Sequence, residues 1–170
     1  MFTTLIVILF LILLTFIYAG FQGAPWVPTR KKDVERFLKL AEIKVGQKMY
    51  DLGCGDGRLV CAAAKVGANA QGLELSLLPF LLAYVRKLFS KDRHRIKIYF
   101  KNIWKTNLSD ADIIYVWLMP EVMSKLKIKL EQELKKGTKV ITYVWPIEGW
   151  QPIKTDFVEG SLNIYLYQIT

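Results

Sequence analysis

Charge is missing altogether from the first stretch of this 170-residue chain: Phe2 to Gly20 carries no Asp, Glu, Lys or Arg. A helix in the core of a soluble domain more often keeps a polar face, so this run does not read as one. A basic start is lacking too. Met1-Phe-Thr-Thr4 offers no positive side chain, and a cleaved secretory signal needs one. Cysteine is scarce: Cys54 and Cys61 are too few for a disulfide framework and fit a reduced, cytosolic setting. The single histidine, His94, lies among Lys91, Arg93 and Arg95, which reads as surface. With no Cys-x-x-Cys pair, no metal site is expected. No RNA-recognition aromatic pattern, zinc knuckle or helix-turn-helix signature is present, and no nucleic-acid partner is expected. Internal repeats and low-complexity tracts are absent.

What is there divides the chain in two. The run from Phe2 to Tyr18 is long enough to cross a bilayer, which takes about 20 apolar residues as a helix. Tyr18 and Trp26 suit the interfacial region, and Arg30, Lys31 and Lys32 follow directly. Basic residues on that side place the rest of the chain in the cytoplasm, against anionic headgroups. The expectation is a single-pass anchor at 1–21, a Gly- and Pro-rich linker at 22–30 and one globular domain at 31–170. Roughly 140 residues can bury a respectable core. The net charge of +9 belongs to that domain, and the membrane is the favoured partner. Lys125, Lys127, Lys129, Lys135 and Lys136 read equally well as a solvated surface. A monomer is expected.

Within the domain, Val34, Phe37, Leu38 and Ala41 recur at helical spacing between Asp33 and Ile43. A strand at Gln47–Leu52 runs into a glycine-rich turn, followed by a helix at Arg58–Val66. A second strand at Asn69–Leu75 precedes a long helix at Leu77–Phe89, and a third strand spans Ile96–Phe100. Ala111–Trp117 is a nearly continuous apolar run, as for a strand buried on both faces. A helix at Glu121–Leu134 and a strand at Thr138–Trp145 follow, then two strands near Ile153–Val158 and Leu162–Ile169 with no helix between. Strand–helix alternation predicts an α/β, doubly wound parallel sheet, and the last two strands predict an antiparallel edge hairpin.

The turn is Asp51-Leu-Gly-Cys-Gly-Asp-Gly57. Gly53, Gly55 and Gly57 let the backbone turn tightly and approach a ligand at a helix N-terminus. Nicotinamide and flavin enzymes use such turns as well. Here, however, the spacing is G-x-G-x-G, with Arg58 following, and Asp51 ends the strand where a pyrophosphate would be repelled. S-adenosylmethionine has no phosphate and carries an ammonium group that an aspartate can bind. Glu74 closes the second strand about 20 residues on, where nucleotide-binding folds place an acid for ribose hydroxyls.

These features resemble class I S-adenosylmethionine-dependent methyltransferases from about Val27 onward. The resemblance implies a seven-stranded Rossmann-like sheet. Asp51, Gly53, Cys54, Gly55, Asp56 and Gly57 would meet the methionine end of the cofactor, and Glu74 its ribose. Asn102 stands where an Asp often meets the adenine amino group and would offer its side-chain oxygen, with Ile103 and Trp104 packing the ring. More narrowly, Ala24-Pro-Trp-Val-Pro-Thr29, Asp51–Arg58, Asn102-Ile-Trp104 and Trp150-Gln-Pro152 are similar to the ATP synthase c-subunit and adenine nucleotide translocase lysine N-methyltransferases. That family methylates lysines of membrane proteins, which implies a membrane-protein substrate. Asn102, and Cys54 where Ser is often seen, depart from the pattern.

The active site of an open parallel sheet lies at the carboxyl ends of its strands. Trp117, Met119 and Pro120 are therefore the catalytic candidates, with Trp117 able to stack on an amine or sulfonium. Tyr143 and Trp145 are secondary, and Tyr115 and Tyr143 read equally well as core. Thr29 would reach the cofactor carboxylate from the linker. Two other readings stand beside lysine methylation: transfer to a membrane lipid or isoprenoid, and a non-catalytic cofactor-binding module. An intact Asp51–Gly57 turn with Glu74 argues against the second.

Overall fold

The computed structural model describes residues 2–23 and 26–170, so the Ala24-Pro25 pair of the linker motif lies outside the described residues. An N-terminal helix α1 (Phe2–Gln22) is followed by α2 (Lys31–Ala41), β1 (Lys48–Leu52), α3 (Arg58–Lys65), β2 (Asn69–Glu74) and α4 (Leu77–Leu88). Then come β3 (Ile96–Phe100), β4 (Ile113–Val116), α5 (Met123–Glu133), β5 (Lys139–Tyr143), β6 (Lys154–Asp156) and β7 (Ile164–Gln168). The predicted helix at Glu121–Leu134 begins instead with a 3₁₀ turn at Pro120–Val122 before α5. Proline at the first position lacks the amide that the opening turn would leave free.

The strands form one seven-stranded sheet in the order β3-β2-β1-β4-β5-β7-β6. The first five pair in parallel, and β7 runs antiparallel to both β5 and β6. The chain winds from β1 outward to β3, then returns to place β4 on the other side of β1. That reversal opens a crevice at the carboxyl ends of β1 and β4.

Period-two alternation divides the core. Met49, Ile113, Tyr115, Ile141 and Tyr143 face the layer built by α2 and α3, where Phe37 meets Tyr115 edge-on at 5.0 Å. Tyr50, Leu52, Ile114, Val116 and Val140 face Leu126 and Leu130 of α5. Asp51 lies between Met49 and Tyr115 in this pattern, in register with Tyr115 on the neighbouring strand. The sheet therefore delivers a carboxylate and a phenol side by side to the same face.

Close approach explains two glycines. A Cβ on Gly57, at φ +72°, would lie 2.9 Å from the Cβ of Ala83, so α3 and α4 meet there. A Cβ on Gly72 would lie 2.6 Å from the Cys54 sulfur. The glycine turn thus rests on the bare backbone of β2.

Helix α1 packs against α4 and is tied to the domain at three points. Leu77 N donates to Thr15 Oγ1 at 3.1 Å, Trp104 Nε1 to the Gln22 carbonyl at 2.8 Å and Met119 N to the Gly23 carbonyl at 2.9 Å. The last two acceptors belong to the end of a helix, whose final carbonyls have no partner within it.

Candidate active site

The glycine turn is held from below and from the side. Gly53 N and Cys54 N both donate to the Leu73 carbonyl at 2.9 Å, and Gly57 N donates to the Cys54 carbonyl at 2.9 Å. The Glu74 carboxylate, itself buried, accepts Gly55 N on one oxygen at 2.8 Å. Its other oxygen accepts Leu75 N at 2.8 Å and Ser76 N at 2.7 Å. A carboxylate has about four lone-pair sites, and three are used. Glu74 is thus a brace between two loops as well as a ribose candidate, with about one acceptor site left over.

Above the turn lies a cleft of about 350 Å³, within the ordinary range for a small-molecule site. Thr29, Asp51, Gly53, Cys54, Gly55, Asp56, Glu74, Asn102, Ile103, Trp117 and Met119 all line it. Of the other candidates, Gly57 starts α3 and packs on Ala83, Pro120 turns outward, exposed, at the head of its 3₁₀ turn, and Trp104 and Tyr143 do not line the cleft either. Trp104 has its indole tied to α1, with the Lys125 ammonium 4.4 Å from its ring centroid.

Asp51 is fully buried and opens only into the cleft. Among the described residues no donor or cation pairs with it. Burial, then the negative charges of Glu74 and Asp56, push its carboxyl well above the usual carboxylate range. Beside it the buried Tyr115 hydroxyl forms no well-made hydrogen bond among the described residues, with Thr29 as its polar neighbour. An unpaired acid next to an unpaired donor would suit a zwitterion, with its ammonium at Asp51 and its carboxylate at Tyr115 and Thr29. From the sequence Tyr115 read equally well as core; its side chain lines the cleft.

Asp56 behaves differently. Its carboxylate binds Arg58 and Arg86, each at 2.7 Å. Burial opposes ionisation, but these two guanidiniums prevail and hold the carboxyl below its ordinary range. Arg58 also donates to the Thr29 carbonyl at 2.7 Å, which anchors the segment entering α2. Asp56 therefore acts as a clasp, with its charge already neutralised. Asn102 is also engaged: its side-chain oxygen accepts Trp104 N at 2.9 Å and caps the following 3₁₀ turn. One lone pair of that oxygen is left for an adenine amino group.

The mouth is aromatic. Trp26 crosses the turn so closely that a Cβ on Gly55 would come within 2.6 Å of its indole. Trp117 packs edge-on against Tyr143 at 4.7 Å. Tyr143 in turn donates to Asp33 at 2.7 Å, and Asp33 accepts Arg36 at 2.8 Å. Burial raises the Asp33 carboxyl, but those two donors hold it below its usual value. Val144 follows at φ +75°, a left-handed conformation that costs a β-branched residue on the order of 1–3 kcal/mol. It lines the cleft and leads into the exposed Trp145. Cys54 carries no reactive thiol: burial, then the charges of Asp51, Glu74 and Asp56, push its pKa well up.

Residues 51–154 match the family model described as the ANTKMT methyltransferase domain. A protein-lysine N-methyltransferase of Saccharolobus islandicus is 38% identical over 85% of this chain and 93% of its own. The ATP synthase c-subunit lysine N-methyltransferase of Rattus norvegicus is 34% identical over 86% of this chain and 67% of its own. Among solved structures, an RNA methyltransferase from Salinibacter ruber in complex with S-adenosyl-L-homocysteine superposes with TM-score 0.81. It is 30% identical, over 84% of this chain and 94% of that one. The glycine turn, the Asp51–Tyr115 pair and the cleft fit S-adenosylmethionine as cofactor. The chain belongs to the family of the ANTKMT methyltransferase domain and is an S-adenosylmethionine-dependent methyltransferase.

Proposed function

We propose that the enzyme N-methylates a lysine of a membrane-associated protein, with α1 as a single-pass anchor at 1–21 and the domain at 31–170 on the cytoplasmic side. The observation that carries the acceptor class is the likeness to the archaeal protein-lysine N-methyltransferase over nearly its full length. The rat relative, named for the ATP synthase c-subunit, supports a membrane protein as substrate. The length and apolarity of α1 support the anchor, and α1 is the candidate span among the described residues.

When bound, S-adenosylmethionine supplies an electrophilic methyl group on a sulfonium. Asp51 would hold its ammonium, Tyr115 and Thr29 its carboxylate, and the remaining acceptor site of Glu74 its ribose. The acceptor lysine must arrive neutral, against an ordinary pKa of about 10.4. Trp117, Met119 and Leu118 make an apolar entrance, and desolvation there lowers the lysine pKa. No dedicated base is then needed, and positioning supplies most of the rate. Trp117, packed against Tyr143, whose hydroxyl Asp33 holds in turn, would stack on the reacting amine or the sulfonium.

Cofactor binding is expected to release a proton. The raised carboxyl of Asp51 ionises when an ammonium arrives, so affinity should improve as pH rises toward the free-enzyme pKa and level off above it. Calorimetry in buffers of different ionisation enthalpy measures this. No net release at any pH from 5 to 8 would mean that Asp51 is already ionised or does not meet the ammonium.

To test the acceptor, the full chain is incubated with radiolabelled S-adenosylmethionine and membranes, and protein, lipid and RNA are separated. Label in protein as methyl-lysine is expected. Label confined to lipid or to RNA overturns the lysine reading.

A further inference from the structure

Helix α4 has a face that none of the described residues covers. Leu78, Leu81, Leu82, Val85 and Phe89 are all exposed, Phe89 at 85%. They recur at the i, i+3, i+4, i+7 spacing of one helical stripe. Pro79 and Ala83, on the adjoining stripe, are the buried residues of this helix. Arg86 leaves the stripe to bind Asp56. Contiguous apolar surface of this kind marks an interaction site in a soluble domain.

The height of this face follows from how α1 is docked. Thr15, not the end of α1, accepts the first amide of α4. Seven residues separate Thr15 from Gln22, about 10 Å along a helix at 1.5 Å per residue. The 21 residues of α1 span about 31 Å, close to the roughly 30 Å of a bilayer core. A helix of that length has no slack, so a spanning α1 puts Thr15 below the headgroups. The start of α4 must then go down with it.

We propose that the exposed face of α4 is a second membrane contact, an interfacial helix lying in the leaflet at the C-terminal end of α1. Helices of this type bury an apolar face about 5–10 Å deep and keep cations at the rim. That depth matches the docking height, and Lys91 and Arg93, both exposed just beyond α4, supply the rim. The lipid leaflet, rather than a protein, is the occupant because it is continuous with the surface around α1. This inference rests on the reading of α1 as a span. It implies that the cleft, walled by the last turn of α1, opens at the level of the headgroups.

The test uses the full chain in vesicles of phosphatidylcholine with one-third phosphatidylglycerol. An environment-sensitive fluorophore is placed on Leu81→Cys, Val85→Cys, Leu11→Cys or Glu159→Cys, the native Cys54 and Cys61 being buried. Unchanged cofactor affinity confirms that each labelled protein is folded. Shallow nitroxide lipids are expected to quench positions 81 and 85 at least twofold, and deep ones position 11, with position 159 unaffected. Deep quenching at 11 without quenching at 81 and 85 overturns the α4 contact and leaves the anchor standing. Quenching at 81 and 85 but not at 11 supports the contact and overturns the span. Quenching at none of the three overturns both.

Discussion

Asp51→Asn is expected to weaken S-adenosylmethionine binding a hundredfold or more and to leave the melting temperature unchanged or slightly raised. The two effects separate because of how Asp51 is placed. Its carboxyl is buried, raised in pKa and unpaired among the described residues, so the free protein carries it at a cost. Asparagine has nearly the same shape and no charge to desolvate. With cofactor bound, the same burial turns a cost into an advantage, since a charged pair in a dry site is worth far more than one in water. A hundredfold corresponds to about 2.7 kcal/mol, within the roughly 2–5 kcal/mol for losing one partner of such a pair on binding. Calorimetry gives the affinity and differential scanning the stability. A dissociation constant within threefold of the parent would remove Asp51 from the cofactor site.

Glu74→Ala should fail in both respects. Its carboxylate accepts the amides of Gly55, Leu75 and Ser76, and each buried amide left without a partner costs about 1–3 kcal/mol. The losses share one void and one water would recover part of them, so about 3 kcal/mol in total is expected. In a chain of this size that lowers the melting temperature by about 6–12 °C. Cofactor binding should fall below detection, since the turn that carries it is no longer braced. Glu74→Gln, which keeps one acceptor oxygen, should recover at least half of the stability. A Glu74→Ala protein with parental melting behaviour would show that the brace is dispensable and leave only the ribose role.

The fold was legible because the pattern that reveals it is local. Strand–helix alternation and the apolar run of Ala111–Trp117 identify a parallel sheet, and the helix-free C-terminal pair identifies the hairpin, with boundaries off by a residue or two. The glycine turn and Glu74 were equally legible, being close in sequence to the elements they join. Tyr115 was not. In a strand buried on both faces its neighbours are all apolar, and nothing local distinguishes a phenol in the core from one in the cleft. Only register against Asp51, set by a strand pairing 64 positions away, does so. Asp56 and Asn102 line the cleft, but their charge and side-chain oxygen are partly spent on Arg58, Arg86 and the Trp104 amide, which residue type alone does not reveal. The docking of α1 is equally non-local: the bond from Trp104 to Gln22 joins residues 82 positions apart.

The carbonyls of Gln22 and Gly23, taken up by Trp104 and Met119, bear on how the enzyme should be handled. Deleting residues 2–23 would strip partners from three donors, Leu77 N, Trp104 Nε1 and Met119 N, and bare Leu118, against which Gly23 packs at 3.0 Å from its would-be Cβ. The last turn of the helix is thus a wall of the cleft, in addition to the anchoring proposed for it. Extraction into detergent or a nanodisc with the chain intact preserves that wall, whereas truncation yields a different enzyme.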